Sequence, residues 1–109
     1  AFRAPRVPAS YGASKAGIGQ LTRSAAADLG PFDINVNAVA PGLTATPMTT
    51  DFGDRAVLER AVADGPMANL LQRVSQPEDV AATILFLCLP ASRQITGQTI
   101  HTSAGAVTL

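Results

Sequence analysis

Apolar residues recur at two different spacings along this chain, and each spacing predicts its own kind of element. From Ser10 to Leu29 they return every three or four positions, which is the period of an amphipathic helix. Ser10 is a residue type that caps helices, and Gly30-Pro31 can end this one. The chain is therefore predicted to carry a long first helix, whose apolar stripe consists of Ile18, Leu21, Ala25 and Leu29.

Two short runs rich in β-branched residues predict strands at residues 34–39 and 98–101. Between them, Pro77 suits the first position of a helix that continues to Pro90. This helix is apolar on nearly all sides, which predicts that a sheet covers it. Because a strand, a helix and a second strand form a βαβ unit, we expect an α/β fold with parallel strands and a right-handed connection.

The stretch from residue 43 to residue 75 is long for a connection in a compact domain. It contains one weakly amphipathic helix candidate at residues 54–63, with breakers at Gly53 and at Gly65-Pro66. Connections of this length are usually lids, binding segments or disordered parts. The strand that precedes it is therefore predicted to end at a functional loop.

Charge and composition exclude several classes of partner. Among 109 residues, eight basic and eight acidic side chains cancel without clustering, which disfavours nucleic acid and anionic membranes as partners. No apolar run is long enough to span a bilayer and no signal-peptide pattern is present, so the cytoplasm is the predicted compartment. The single cysteine, Cys88, excludes an internal disulfide and is expected to be buried. The single histidine, His101, has no acidic or cysteine partner at ligand spacing, which predicts a structural or surface role and neither catalysis nor a metal site.

The strongest candidate for chemistry is the only tyrosine, Tyr11, with the only lysine, Lys15, four residues later in the predicted helix. Residues at this spacing share a helix face, so the phenol and the ammonium can meet over one ligand. A free tyrosine titrates near pH 10, but a fixed cation favours the phenolate and lowers the pKa of Tyr11. Tyr11 can then act as a general acid or base. The alternative is that the ring and the aliphatic stem only pack together, which contributes about 0.2–0.5 kcal/mol.

Five motifs together resemble the C-terminal half of a classical short-chain dehydrogenase/reductase, in order and in spacing. They are YGASK at 11–15, INVNAVAPG at 34–42, TPM at 46–48, QPEDVA at 76–81 and ITGQ at 95–98. The resemblance implies a doubly wound, parallel-sheet Rossmann fold. It also implies that residues 1–109 are the C-terminal half of a single NAD(P)-binding domain, with a substrate lid at about residues 43–75 and the N-terminal half absent.

The function that the resemblance implies is hydride transfer between NAD(H) or NADP(H) and an alcohol or carbonyl substrate. Tyr11 would be the general acid/base. Lys15 would bind the nicotinamide ribose hydroxyls and lower the pKa of Tyr11. The resemblance implies that both side chains also contact the cofactor. A full-length protein of this kind would be a homodimer or a homotetramer.

The resemblance also assigns cofactor contacts to the residues after the first strand. Pro41 and Gly42 would shape the loop beside the nicotinamide. The backbone around Thr44 would meet the carboxamide, and the Thr46 hydroxyl would contact the pyrophosphate. The stretch after Thr46 would close over the substrate.

This chain departs from the family pattern at several positions. Asn35 replaces a common basic residue, Thr44 replaces a usual aliphatic one, and Ser103-Ala104-Gly105 stands where the family commonly has Asp-Gly-Gly. The glycine-rich phosphate loop, the catalytic serine and the catalytic asparagine would all fall ahead of Ala1, as would the residue that separates NAD from NADP. The 109 residues alone are therefore expected to be inactive. The alternative function is a truncated product that at most associates with other chains, and the residues before Ala1 would decide between the two.

Overall fold

The computed structural model describes residues 9–45, 55–65 and 67–106, with side chains from residue 13 onward. These described residues form three helices and two strands: α1 Ala9–Leu29, β1 Ala38–Pro41, α2 Arg55–Ala63, α3 Pro77–Leu87 and β2 Thr99–Thr102. Short 3₁₀ turns follow α1 at Gly30–Phe32 and α3 at Pro90–Ser92. The chain divides into two compact units, one of Ala1–Ala38 with Arg93–Thr99, and one of Val39–Ser92 with Ile100–Leu109.

The first helix has the predicted end, and it already includes Ala9, the first described residue. Ser10 is therefore a helical residue, and the prediction that Ser10 caps the helix is wrong. After Leu29 the chain continues into the 3₁₀ turn, and Asp33 closes that turn with left-handed backbone at φ 61°. Its amide donates to the Gly30 carbonyl oxygen at 2.9 Å, so a short polar residue ends the helical stretch.

The packed face of α1 differs from the predicted apolar stripe. Thr22 and Ala26 are buried, at 6% and 8% exposure, whereas Ile18 and Leu21 are 52% and 68% exposed. The Ala26 methyl carbon lies only 3.5 Å from the place that a Cβ on Gly97 would take. A small side chain thus lets the turn at Gly97 approach the helix. Within this unit, close backbone approach decides which face is covered, and the predicted stripe is wrong for Ile18 and Leu21.

The predicted strand at 34–39 begins later than expected, at Ala38. The Asn37 side chain donates to the Ile95 carbonyl oxygen at 2.9 Å and accepts from the Gln98 amide at 3.1 Å. The Asn35 side chain makes a similar bond to a backbone carbonyl at 2.8 Å. Asparagine side chains compete with ladder hydrogen bonds in this way. Hydrogen bonds from side chains therefore hold residues 34–37, and the prediction of a strand there is wrong.

The two strands pair in parallel, which confirms the α/β class. The Ala38 amide donates to the Gln98 carbonyl oxygen at 2.9 Å, and the Gly42 amide donates to the Thr102 carbonyl oxygen at 3.3 Å. Both partners advance by four residues in the same direction, as in a parallel ladder. The second strand begins one residue after the predicted 98–101 run, because the amide of Gln98 is already bound to Asn37. The handedness of the connection stays a prediction.

The helix predicted at residues 54–63 is confirmed over Arg55–Ala63, and Asp54 lies outside the described residues. Leu58 and Val62, one turn apart, are buried at 5% and 0% exposure. They form the apolar centre of the second unit. The Asn69 amide donates to the Val62 carbonyl oxygen at 3.0 Å, so the chain turns back over the end of this helix.

The third helix starts at Pro77 as predicted. Its start is reinforced because the Gln76 amide donates to the Asp79 carboxylate at 2.7 Å, and acidic residues complement the positive end of the helix. Cover by a sheet is not seen in the described part of the chain: Ile84 and Leu85 are 48% and 61% exposed, and Cys88 is exposed. The prediction of a buried Cys88 is therefore wrong, since a sheet of two strands offers little surface to cover an all-apolar helix.

Candidate active site

The helix that carries the tyrosine and lysine pair is continuous through both positions. Tyr11 and Lys15 lie within α1, so their backbone positions are separated by one turn, about 6 Å of helix rise. Lys15 is exposed on this helix. The side chain of Tyr11 lies outside the described residues. The helical condition for a shared face is thus met, and the phenol-to-ammonium contact stays a prediction.

The predicted cofactor loop corresponds to residues 41–45, which we call the post-strand segment. Pro41 is the last residue of β1, and the Gly42 amide continues the pairing to Thr102 beyond the strand. The Thr44 hydroxyl donates to the Gly42 carbonyl oxygen at 2.9 Å, which closes a short turn within the segment. Pro41, Gly42 and Thr44 are therefore held in one local structure. Thr46 lies outside the described residues.

Gly42 is required by close packing against the chain after β2. A Cβ placed on Gly42 would meet the Cα of Ser103 at 2.9 Å, which is closer than such atoms approach in proteins. Ser103 itself is buried, at 3% exposure, and its hydroxyl accepts from the Ala106 amide at 3.4 Å. The sequence predicted that Gly42 shapes this loop, and the contact with Ser103 shows the steric reason for a glycine.

The opposite side of the segment is bound by Ser75, which sequence reasoning did not single out. Thr44 and Ser75 form a parallel bridge, in which the Ser75 amide donates to the Leu43 carbonyl oxygen at 2.9 Å. The Ala45 amide donates in turn to the Ser75 carbonyl oxygen at 2.8 Å. The only sequence signal is a small polar residue just before the Gln76-Pro77 helix start. Nothing in that local pattern indicates a partner 30 residues earlier in the chain.

A cavity of about 520 Å³ lies in the same unit, beside the end of the post-strand segment. Its lining residues are Ala45, Arg55, Leu58, Glu59, Gln72, Arg73, Val74 and Gln76. Arg55 and Glu59 form an ion pair at 3.0 Å on the exposed side of α2. Apart from Gln76, every lining residue belongs to the predicted lid at 43–75. The described part of the predicted lid therefore borders an open cavity with both apolar and charged walls.

Residues 9–45, 55–65 and 67–106 contain neither a candidate metal centre nor a candidate membrane-spanning helix. No group of three or more histidine, cysteine, aspartate or glutamate side chains within them is arranged to hold a metal ion. No helix in these ranges combines the length and apolar character that crossing a bilayer requires.

Comparison with known proteins decides the family. A family model described as enoyl-(acyl carrier protein) reductase matches residues 2–107. The chain belongs to the short-chain dehydrogenase/reductase family. The short-chain reductase protein NovJ of Streptomyces niveus is 37% identical over 98 residues, which is 88% of this chain and 37% of NovJ.

Solved structures of the short-chain dehydrogenase/reductase type share the fold of this chain. The 3-oxoacyl-[acyl-carrier protein] reductase of Brucella melitensis gives a TM-score of 0.80 at 38% identity, over 99% of this chain and 38% of that protein. A 7α-hydroxysteroid dehydrogenase complexed with NADH and 7-oxo glycochenodeoxycholic acid gives a TM-score of 0.76 at 35% identity, over 92% of this chain and 38% of that one. The chain thus has part of a Rossmann fold and spans well under half the length of the relatives it matches.

One departure from the family pattern falls in the turn after β2. Ala104, where the sequence analysis noted a common glycine, has left-handed backbone at φ 53°. Its carbonyl oxygen accepts from the Leu71 amide at 3.1 Å, so the turn is fixed in this conformation. A left-handed alanine costs about 1–2 kcal/mol, and glycine adopts the same backbone without that cost.

We therefore expect Ala104→Gly to stabilise the protein by about 0.5–1 kcal/mol, because relief of the strain exceeds the added chain entropy of glycine. Urea unfolding midpoints measure the difference. Ala82→Gly, at an exposed position inside α3, is the matched control and should destabilise by about 1 kcal/mol. Equal destabilisation by both variants would contradict the assignment of strain to Ala104.

Proposed function

We propose that this chain is the catalytic-helix and lid half of a nicotinamide-dependent oxidoreductase, which acts on an alcohol or a carbonyl compound. The observation that carries the proposal is the Tyr11 and Lys15 pair, one turn apart in a continuous α1 of a short-chain dehydrogenase/reductase. When bound, NADH or NADPH would supply the hydride for carbonyl reduction, and NAD⁺ or NADP⁺ would accept it in alcohol oxidation. Residues of this chain transfer the proton, bind the cofactor and close over the substrate.

Tyr11 is the proton-transfer residue of this proposal. In alcohol oxidation its phenolate takes the hydroxyl proton of the substrate, and in carbonyl reduction its phenol returns a proton to the forming alkoxide. General acid or base catalysis of this kind contributes about 10²–10⁴-fold to the rate. The positive charge of Lys15 favours the phenolate and so lowers the pKa of Tyr11 towards the working pH.

Lys15 and the post-strand segment supply groups that suit a nicotinamide nucleotide. An ammonium has three donors, which match the ribose hydroxyls. Pro41 and Gly42 shape the backbone beside the nicotinamide, the backbone at Thr44 meets its carboxamide, and Thr46 contacts the pyrophosphate. The short turn closed by the Thr44 hydroxyl supports these roles, because it fixes the backbone before a ligand arrives.

The lid at residues 43–75 closes over the substrate in this proposal. The cavity between α2 and residues 72–76 supports it, since it offers a space next to the post-strand segment. Its mixed lining suits a small carbonyl compound with an apolar body and a polar end. The full-length protein, meaning one that contains this chain and spans the length of its relatives, is proposed to be a cytoplasmic homodimer or homotetramer.

The proposal is tested with the full-length protein by titrating NADH and NADPH separately and following nicotinamide fluorescence. A panel of ketones, 3-oxoacyl thioesters and steroid ketones then serves as substrates, and oxidation of the cofactor is read from nicotinamide absorbance. Binding of one cofactor with turnover of at least one carbonyl is the expected result. If the protein binds neither NADH nor NADPH, the proposed function is contradicted and a protein that only associates with other chains is favoured.

A further inference from the structure

We propose that Ser75 is a positioning residue for the post-strand segment, and this inference rests on the proposed function. The segment lies between two supports in the second unit. On one side the backbone after β2 packs against Gly42. On the other side Ser75 pairs with the backbone of residues 43–45.

The backbone of Ser75 holds the segment through two short hydrogen bonds. Its amide donates to Leu43 and its carbonyl accepts from Ala45, at 2.9 and 2.8 Å. These bonds pin the residues directly before and after Thr44, whose backbone is proposed to meet the carboxamide. A displacement of Ser75 would therefore move Thr44 with it.

The hydroxyl of Ser75 ties the same segment to β2. It donates to the Thr102 carbonyl oxygen at 3.4 Å, and that oxygen also accepts from the Gly42 amide at 3.3 Å. One carbonyl carries two lone pairs and can accept both bonds. Thr102 is therefore a shared anchor, through which the Ser75 side chain is linked to the start of the segment.

Because Ser75 is buried, loss of its hydroxyl hydrogen bond should have a measurable effect. Ser75 is 6% exposed, so water cannot readily replace a lost partner. The backbone amide of the next residue, Gln76, donates a hydrogen bond to the Asp79 carboxylate at 2.7 Å, which fixes its position. Ser75 is thus held from α3 on one side and from β2 on the other, and its position sets that of the segment.

The test is Ser75→Ala in the full-length protein, which removes the hydroxyl and keeps the backbone pairing. The KM for the nicotinamide cofactor is expected to rise about three- to tenfold, which corresponds to the loss of one buried hydrogen bond. The kcat is expected to stay within about twofold, since the proton-transfer pair is untouched. Amide hydrogen exchange at Ala45 is expected to speed up by a similar factor without any cofactor.

Ser92→Ala is the matched control. Ser92 is also buried in the second unit, at 2% exposure, and its hydroxyl donates to the Leu89 carbonyl oxygen at 3.0 Å, away from the segment. It should lower the unfolding midpoint without changing the cofactor KM or the exchange at Ala45. An equal rise of KM in both variants, or no change in Ser75→Ala, would overturn the positioning role.

The two readouts separate this inference from the proposed function. If the parent protein binds neither NADH nor NADPH, the proposed function fails on that measurement alone. Exchange at Ala45 then still decides whether the Ser75 hydroxyl holds the segment. Unchanged exchange in Ser75→Ala would refute the positioning role even in a protein that binds the cofactor.

Discussion

Tyr11→Phe in the full-length protein is expected to lower kcat by about 10²–10⁴-fold, because it removes the group that transfers the proton. The fold should be unchanged because the ring remains, whereas cofactor affinity should fall modestly because the lost hydroxyl is also proposed to contact the cofactor. Steady-state turnover at saturating cofactor measures the loss. The unfolding midpoint and the cofactor Kd, measured on the same preparation, show whether the fold is intact.

Thr22→Val is the control for loss of a hydroxyl from the same helix. The Thr22 hydroxyl is buried and donates to the Ile18 carbonyl oxygen at 2.8 Å. This variant should keep kcat within about threefold, since hydrogen bonds within the fold affect mainly stability. A Tyr11→Phe enzyme whose turnover also stays within threefold of the parent would remove Tyr11 from the mechanism.

Lys15→Met is expected to lower the rate and to move the rising limb of the pH profile for alcohol oxidation upward by about one unit or more. The sign follows from the charge. The Lys15 cation favours the phenolate, so its removal raises the pKa of Tyr11, and the active base then forms only at higher pH. Rates of alcohol oxidation measured across the pH range at saturating cofactor give the shift.

Lys15→Arg is the matched variant, because it keeps the positive charge on the same helix face while changing the shape of the donor group. Its profile should lie close to that of the parent, although its rate and cofactor affinity fall. If Lys15→Met lowers the rate with no displacement of the profile, Lys15 acts in binding alone. A shift of equal size in both variants would point away from charge as the cause.

Local signals in the sequence predicted all three described helices and most of their limits. Pro77 with the acidic residues after it predicted the start of α3, and Gly30-Pro31 predicted the end of α1. These signals act within a few residues, through fixed proline geometry, helix-end charge and missing donors. The five motifs, whose order and spacing match those of the family, likewise led to the family, which the family model confirmed.

The chemistry of the candidate site was also readable in part. The spacing of Tyr11 and Lys15 needed only a continuous helix, and α1 provides it. The loop after β1 was predicted from Pro41-Gly42, and the structure places both at the end of that strand. What these residues bind stays a prediction, since the roles of individual side chains came from the resemblance.

The tertiary structure alone decided where the strands begin and which surfaces are covered. Asn35 and Asn37 bind backbone groups about 60 residues away in sequence, and no local pattern shows that these side chains would replace a strand. Ala26, which approaches Gly97 closely, is buried, whereas Leu21 is exposed. A helix period shows which residues share a face, but the partner determines which face is buried.

The contacts that hold the post-strand segment were also decided by the tertiary structure alone. Ser75 and Ser103 are small polar residues in separate parts of the chain, with no spacing that links them to Gly42. Pairing and close packing bring both against one segment. By itself, the sequence determined most of the helix limits and the candidate acid/base pair, because these depend on neighbours within a few turns, and it determined the family through motifs whose order is preserved along the chain. Strand limits, the buried face and the residues that hold the post-strand segment depend on contacts between distant segments, and those exist only in the folded chain.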